Sequence, residues 1–148
     1  MVDWNTRGVG YIRAGRSTRS QDGVGVRICA QRVCAYCELH LIALDATLID
    51  KGMVTQDQTE GRSSVLDEAL GMLRVGGPTL LIVPSMAHLA LSVGNLARLV
   101  EQRFGDGSFA LVSVAEGVDT RTDNGRFVLH LLRTLARWDC EGAHNAKF

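Results

Sequence analysis

The segment Gly15–Gln21 holds the densest group of potentially reactive side chains in the sequence. It reads GRSTRSQ, so it has three hydroxyl groups and two arginines, and it follows the short apolar run GVGYIRA. A serine such as Ser17 could act as a nucleophile, and the guanidinium of Arg16 could make forked contacts to phosphate or carboxylate. Serine, arginine and glycine are also common in ordinary polar turns. The segment is therefore either a reactive serine site at the end of a strand or a connecting turn.

Two histidines occupy different predicted environments. His88 lies in PSMAHLALS, directly after an apolar run that predicts a buried strand. Open α/β sheets bind ligands at that edge, so His88 is a candidate binding residue. His130 lies among the apolar positions of the last predicted helix, and we expect it to be packed there rather than to bind a ligand.

A second cluster of possible ligands has the spacing C-x4-C-x2-C-x2-H and comprises Cys29, Cys34, Cys37 and His40. On one helix these positions fall on more than one face, and no second cysteine pair elsewhere completes a tetrahedral zinc site. We expect small buried thiols and no metal. The glycines of GVGYIRAG lie before and inside a strand, whereas a dinucleotide fingerprint needs them between a strand and a helix, so no cofactor is predicted.

Length and charge limit the classes of function. With 148 residues, 46% of them hydrophobic, the chain is predicted to form one domain over residues 1–148, with its core at 9–139 and a tail at 140–148 that frays. Lysine plus arginine equals aspartate plus glutamate, 16 against 16, so any nucleic-acid contact must be local. No run predicts a signal peptide or membrane helix, and we expect a cytoplasmic protein without a membrane partner.

Strand and helix patterns alternate along the chain. This alternation predicts an α/β fold, a parallel-rich sheet flanked by helices, with a long C-terminal helix. The predicted strands are residues 9–14, 41–50, 79–84 and 109–114; the predicted helices are residues 24–40, 65–75 ending at Gly76 and Gly77, 93–104 capped by Ser92, and 122–138.

Three stretches, in order and at suitable separations, resemble the catalytic domain of serine recombinases, the resolvase and invertase family. YIRAGRSTRSQ is similar to that family's opening Y-x-R-V-S-T-x-x-Q. GGPTLLIVPSMAHLALSVGNLARLVE follows the apolar frame of its G-D-x-L-V-V-x-x-L-D-R-L-G-R-S-x-x-D-L-x-x-L-V-E. ALVSVAEGVDTRTDNGRFVLHLLRTLARWD resembles its strand, E-G-I-D-T-x-T-x-x-G-R turn and long last helix. The match spans about residues 9–139.

The resemblance implies attack of a serine hydroxyl on a DNA phosphodiester, giving a covalent phosphoserine. Ser17, Thr18 and Gln21 then match S-T-x-x-Q, but two extra residues separate them from the strand. Without that insertion, the nucleophile position falls on Gly15. Arg13, or Arg16 in the shifted register, corresponds to the family's strand arginine, and Arg62 corresponds to the arginine before its second helix.

Other family positions differ. Where the family has D-R-L-G-R-S, this chain has residues 87–92, AHLALS, so both arginines and the aspartate are missing. Asp139 and Cys140 stand where the family has its E-R pair. His88 could donate one hydrogen bond to phosphate, especially if protonated, but it replaces a permanently charged fork.

Three hypotheses follow. The first is a degenerate, catalytically silent recombinase domain that dimerises through its last helix and acts as a regulatory module. The second is an active recombinase that uses Ser17 with Arg13, Arg62 and His88. The third is an anion or small-molecule binder at the strand ends. No helix-turn-helix pattern precedes Phe148, so DNA binding is expected to be weak or to depend on a partner.

Overall fold

The computed structural model describes residues 6–14, 22–51, 64–90 and 92–145. Over these ranges, strands and helices alternate along most of the chain, as the sequence predicts. The elements are β1 (Thr6–Arg13), α1 (Asp22–Leu39), β2 (Ile42–Asp50), α2 (Ser64–Gly71), β3 (Leu80–Val83), a 3-10 turn (Met86–His88), α3 (Val93–Phe104), β4 (Ala110–Ser113), β5 (Val118–Asp119) and α4 (Asp123–Asn145).

The strands form one five-stranded sheet in the order β2-β1-β3-β4-β5. β1 is parallel to both β2 and β3, and β3 is parallel to β4. β5 is antiparallel to β4, and the sequence analysis did not predict it. Its two residues are too few to produce an alternating pattern, so the EGVDT segment reads as a turn. The α/β fold with a parallel-rich sheet is confirmed.

Both faces of the sheet are covered by helices. On one face, buried side chains of β1, β3 and β4 such as Val9, Leu81 and Leu111 pack with residues from α2, α3 and α4. On the other face, Val33 and Cys37 of α1 pack on Ile82, Val112 and their neighbours. β3 is fully buried, which explains its uninterrupted apolar sequence LLIV. Along the central strands β3 and β4, polar groups can therefore gather only at the strand ends.

Several element boundaries differ from the prediction. β1 begins at Thr6 rather than Val9. α2 ends at Gly71 rather than continuing to Gly76, because the chain tightens there and the Arg74 amide donates to the Pro78 carbonyl at 2.9 Å. Gly76 then adopts a positive φ of 85°, which suits a glycine in the reversal that leads into β3. The cap predicted for α3 is confirmed, since Ser92 Oγ accepts from the Asn95 amide at 3.1 Å.

The last helix is longer than expected. α4 has 23 residues and includes 140–145, the first part of the segment that we expected to fray. It buries Leu129 against the core, but Phe127, Leu131 and Leu135 remain 59%, 44% and 41% exposed. These three residues are spaced by four and form an exposed apolar stripe along the helix. In the described part of the chain, no helix has the length and apolar character that crossing a membrane requires.

Gly125 explains why α4 can begin so close to β5. Thr122 Oγ1 accepts from the Gly125 amide at 3.0 Å and donates to the Asp119 carbonyl at 2.7 Å, so it caps the helix and ties it to β5. A Cβ atom at Gly125 would collide with the Asp119 carbonyl and lie 2.8 Å from Thr120 Cα. The glycine is required because the backbone of the helix contacts that of the preceding turn.

Gly125→Ala is expected to destabilise the fold by about 1–3 kcal/mol, because backbone rather than a flexible side chain must move. Urea unfolding followed by circular dichroism measures the change. Gly71→Ala is the matched control, since a Cβ there meets nothing within 4 Å; it should be neutral or slightly stabilising. Equal effects of the two substitutions would contradict this account of Gly125.

Candidate functional site

The carboxyl ends of the parallel strands bring several polar residues to one edge of the sheet. Arg13 ends β1, Asp50 ends β2, and Ser113 ends β4. Arg13 and Asp50 are also register partners in the β1–β2 ladder. The 3-10 turn that carries His88 follows β3 at the same edge. Open α/β sheets place their ligand sites there, so this edge is the candidate functional site.

A buried polar pair underlies the site. Tyr11 Oη donates to Asp50 Oδ2 at 2.7 Å, and the two residues are 0% and 1% exposed. A buried carboxyl group needs hydrogen-bond donors to offset its lost hydration. The Ala14 amide also donates to the Asp50 carbonyl at 2.9 Å, which ties the end of β1 to the end of β2. The Tyr11–Asp50 pair and the Ala14 hydrogen bond together hold the end of β1, where Arg13 lies, against β2.

His88 lies at this edge, as its position after β3 predicts, and it contacts the main chain of Arg13. The Arg13 amide donates to His88 Nδ1 at 2.9 Å. Because Nδ1 accepts, the neutral ring carries its proton on Nε2. Burial and, secondarily, the nearby charge of Arg13 hold the pKa of His88 below its usual range, although Glu116 opposes the shift. The structure therefore favours the uncharged imidazole rather than the protonated donor considered from the sequence.

Glu116 fixes the other end of the 3-10 turn. Its Oε1 accepts from the Met86 amide at 3.1 Å and also from Ser113 Oγ. The sequence analysis placed Glu116 in a family motif without giving it a role, and it likewise missed the Tyr11–Asp50 pair. The available signal for Asp50 was an acidic residue directly after the apolar pair Leu48 and Ile49 at the end of a predicted strand.

Asp119 and Arg121 form a second charged pair, on and beside β5. Arg121 Nη2 and Asp119 Oδ2 are 2.7 Å apart, and a further bond joins Nε to the same carboxylate. Burial acts to raise the pKa of Asp119, but hydrogen bonds from Arg121 outweigh it and lower that pKa. The Arg121 guanidinium is thus already hydrogen-bonded to the carboxylate of Asp119.

The remaining predicted site residues cannot be placed at this edge. Gly15, Arg16, Ser17, Gln21 and Arg62 lie outside the described residues. Whether Ser17 or Gly15 occupies the nucleophile position therefore stays a prediction. Of the predicted site residues, the structure brings together Arg13 and His88.

The cysteines of α1 lie in different environments. Of these three free thiols, Cys37 is buried as predicted and Cys29 is half-buried. Cys34 is exposed, so the prediction of a buried thiol was wrong there. Burial, with a smaller contribution from Cys34, raises the pKa of the Cys37 thiol to about 11, so it is protonated at neutral pH. Among the residues that the structure describes, no three histidine, cysteine or acidic side chains are grouped to hold a metal ion.

Comparison with known proteins identifies the family to which the chain belongs. The family model "Resolvase, N terminal domain" matches residues 8–146. The chain belongs to the resolvase N-terminal domain family. The N-terminal catalytic domain of TP901-1 integrase has a similar structure, with a TM-score of 0.75 and 18% sequence identity over 92% of this chain and 98% of that one. No curated protein matches the chain.

A second solved structure, a resolvase family site-specific recombinase from Streptococcus pneumoniae, gives a TM-score of 0.74 and 15% identity over 96% of this chain and 93% of that one. The resemblance proposed from the three sequence stretches is thus confirmed for family and fold. The turn after β3 holds His88, which the sequence resemblance aligns with a family arginine.

Tyr11→Phe is expected to lower the free energy of unfolding by about 1–3 kcal/mol, because the buried carboxyl group of Asp50 loses a short hydrogen bond. Chemical denaturation measures the loss. Tyr36→Phe removes the same hydroxyl group from a half-buried residue of α1 and should change stability by less than about 0.5 kcal/mol. A Tyr11→Phe protein as stable as the Tyr36→Phe control would refute a structural role for the Tyr11–Asp50 pair.

Proposed function

We propose that this resolvase-family domain does not cleave DNA and acts as a dimerisation and regulatory module in site-specific recombination. The observation that carries the proposal is the state of His88. At this position the family resemblance calls for a guanidinium, and the structure has a half-buried imidazole whose Nδ1 is committed to a backbone amide. One fixed positive charge is thereby replaced by a neutral ring.

The neighbouring positions reinforce the loss of charge. Ala87 precedes His88, Ala90 follows Leu89, and Leu89 points into the core with 0% exposure. Residues 84–92 contain no arginine or lysine. Phosphoryl transfer needs cationic donors around the nonbridging oxygens, and removing one typically costs about 10²–10³ in rate. The absence of both family arginines in this segment, and of the arginine at position 140, supports a silent site.

The chain has the apolar pattern of the family resemblance but lacks several of its charged residues. Tyr11 and Arg13 lie in the last three residues of β1, Asp50 ends β2, and buried residues of β3 and α3 pack in one core. A fold that keeps its core but lacks the cations of its chemistry is suited to binding rather than catalysis. The alternative of an active recombinase depends on the family positions that this chain retains, which are Arg13 and, outside the described residues, Arg16, Ser17, Gln21 and Arg62.

The exposed stripe of α4 supports dimerisation. Phe127, Leu131 and Leu135 present three large apolar side chains on one line of the helix. Such a row is unusual for a monomer surface, and two copies can cover it by packing α4 against its symmetry mate. A homodimer through the C-terminal helix remains the expected assembly, with DNA binding weak or dependent on a partner.

Cleavage is tested by fusing the full chain to a DNA-binding domain with a known site, so that weak DNA affinity does not limit the result. Supercoiled and nicked substrates with paired sites are incubated with the fusion and resolved on denaturing gels. We expect no covalent adduct from the natural sequence or from Ser17→Ala. An adduct that forms with the natural sequence and disappears in Ser17→Ala would establish the active alternative.

A rescue variant distinguishes missing charge from other defects. Ala87→Asp, His88→Arg and Leu91→Arg together restore the family's D-R-x-x-R pattern. This triple variant is expected to form more adduct than the natural sequence, provided that Ser17 can reach the phosphate. Circular dichroism confirms that the variant is folded before its activity is compared.

Dimerisation is tested by sedimentation of the 16.1 kDa chain at high micromolar concentration. We expect the natural sequence to sediment as a dimer and Leu131→Glu to sediment as a monomer, because a charge in the stripe must be desolvated in the interface. Val75→Glu is the matched control, since Val75 is 87% exposed and lies in the turn before β3, so the dimer should persist. A monomeric natural sequence would exclude this interface.

A further inference from the structure

The β1–β3 ladder ends before β1 does. Its last register pair is Gly10 with Ile82, while β1 continues to Arg13. Alternate amides of a strand face opposite neighbours, and the Ala14 amide donates to β2. The Arg13 amide therefore faces the β3 side, beyond the last β1–β3 pair. His88 Nδ1 accepts that amide, so a side chain supplies the acceptor that a longer β3 would have offered.

The 3-10 turn is held at three points. Glu116 binds the Met86 amide at its start, and Leu89 is fully buried just after its end. His88 forms the attachment to β1. The Glu116 bond and Leu89 tie the turn to the β4–β5 connection and to the core, so loss of the His88 bond would detach the turn from the end of β1 without releasing the whole segment.

We propose that His88 is a proton-sensitive clasp that closes the 3-10 turn on the end of β1 when neutral and opens when Nδ1 takes up a proton. A protonated Nδ1 carries N–H and cannot accept from the Arg13 amide, so two donors would face each other. The switch is distinct from the proposed loss of DNA cleavage, and either can hold without the other.

The charges around the ring set the direction of the response. Arg13 of β1 disfavours the imidazolium, Glu116 of the β4–β5 turn favours it, and burial disfavours it most strongly. The balance lowers the pKa of His88 in the closed state below the ordinary value of about 6.5. The open or unfolded chain therefore takes up a proton first as pH falls. The stability of the clasp is complete above about pH 6.5 and declines as pH falls from there through the lowered pKa.

Nuclear magnetic resonance of the full chain tests the clasp without any substitution. At pH 7.5, imidazole nitrogen shifts should show the Nε2–H tautomer of His88. Between pH 7 and 5, the exchange protection factor of the Arg13 amide should fall about tenfold, the equivalent of one hydrogen bond. The Val114 amide, which donates to Val83 at 3.0 Å, is the internal reference for global unfolding and should stay protected.

Two variants separate His88 from other titrating groups. His88→Asn places a carbonyl oxygen near the position of Nδ1 but cannot titrate, so protection of the Arg13 amide should become independent of pH. His130 of α4 is exposed, so the prediction that it packs among apolar residues was wrong. His130→Asn should leave the natural pH dependence intact. An Nδ1–H tautomer at pH 7.5, pH-independent Arg13 protection in the natural sequence, or a pH dependence that survives His88→Asn would each overturn the proposal.

Discussion

Covering both faces of a parallel sheet is the constraint on which the rest of this structure depends. With α1 on one side and α2, α3 and α4 on the other, the central strands can carry only apolar side chains along their length. Polar side chains are accommodated where strands stop. The carboxyl edge thus collects Arg13, Asp50 and the turn after β3, which are the polar positions available to a site at this edge.

The chain has the fold of its family, but the residues at the carboxyl edge of its sheet differ in charge from those that the sequence resemblance calls for. The fold of a resolvase domain is present, and within it this chain has a buried Tyr11–Asp50 pair and a close approach of α4 to β5. The segment after β3 has alanine, leucine and histidine at positions where the sequence resemblance calls for charged groups. Packing and catalysis make separate demands on a sequence, so a chain can satisfy the first and lose the second.

The features that could be predicted from the sequence are those carried by strong local signals. The apolar run of β3 and the Ser92 cap of α3 each follow from a few adjacent residues, and the structure has both. β5 and the early end of α2 depend on backbone hydrogen bonds across short turns, between β4 and β5 and between Arg74 and Pro78, which the residue types do not reveal. At the site, position alone indicated that His88 would lie at the carboxyl edge of the sheet. Its role as an acceptor could not be predicted, because that depends on where the β1–β3 ladder ends.

The start of α4 also has a mechanical consequence. Thr122 and Gly125 place the first turn of α4 in direct contact with the backbone of β5. From there the 23-residue helix extends for roughly 34 Å, at about 1.5 Å per residue. A tilt of about 10° at the root would displace the far end by roughly 6 Å over that length. A small rotation of α4 where it contacts β5, beside Asp119, would therefore produce a much larger displacement at the C-terminal end of the helix.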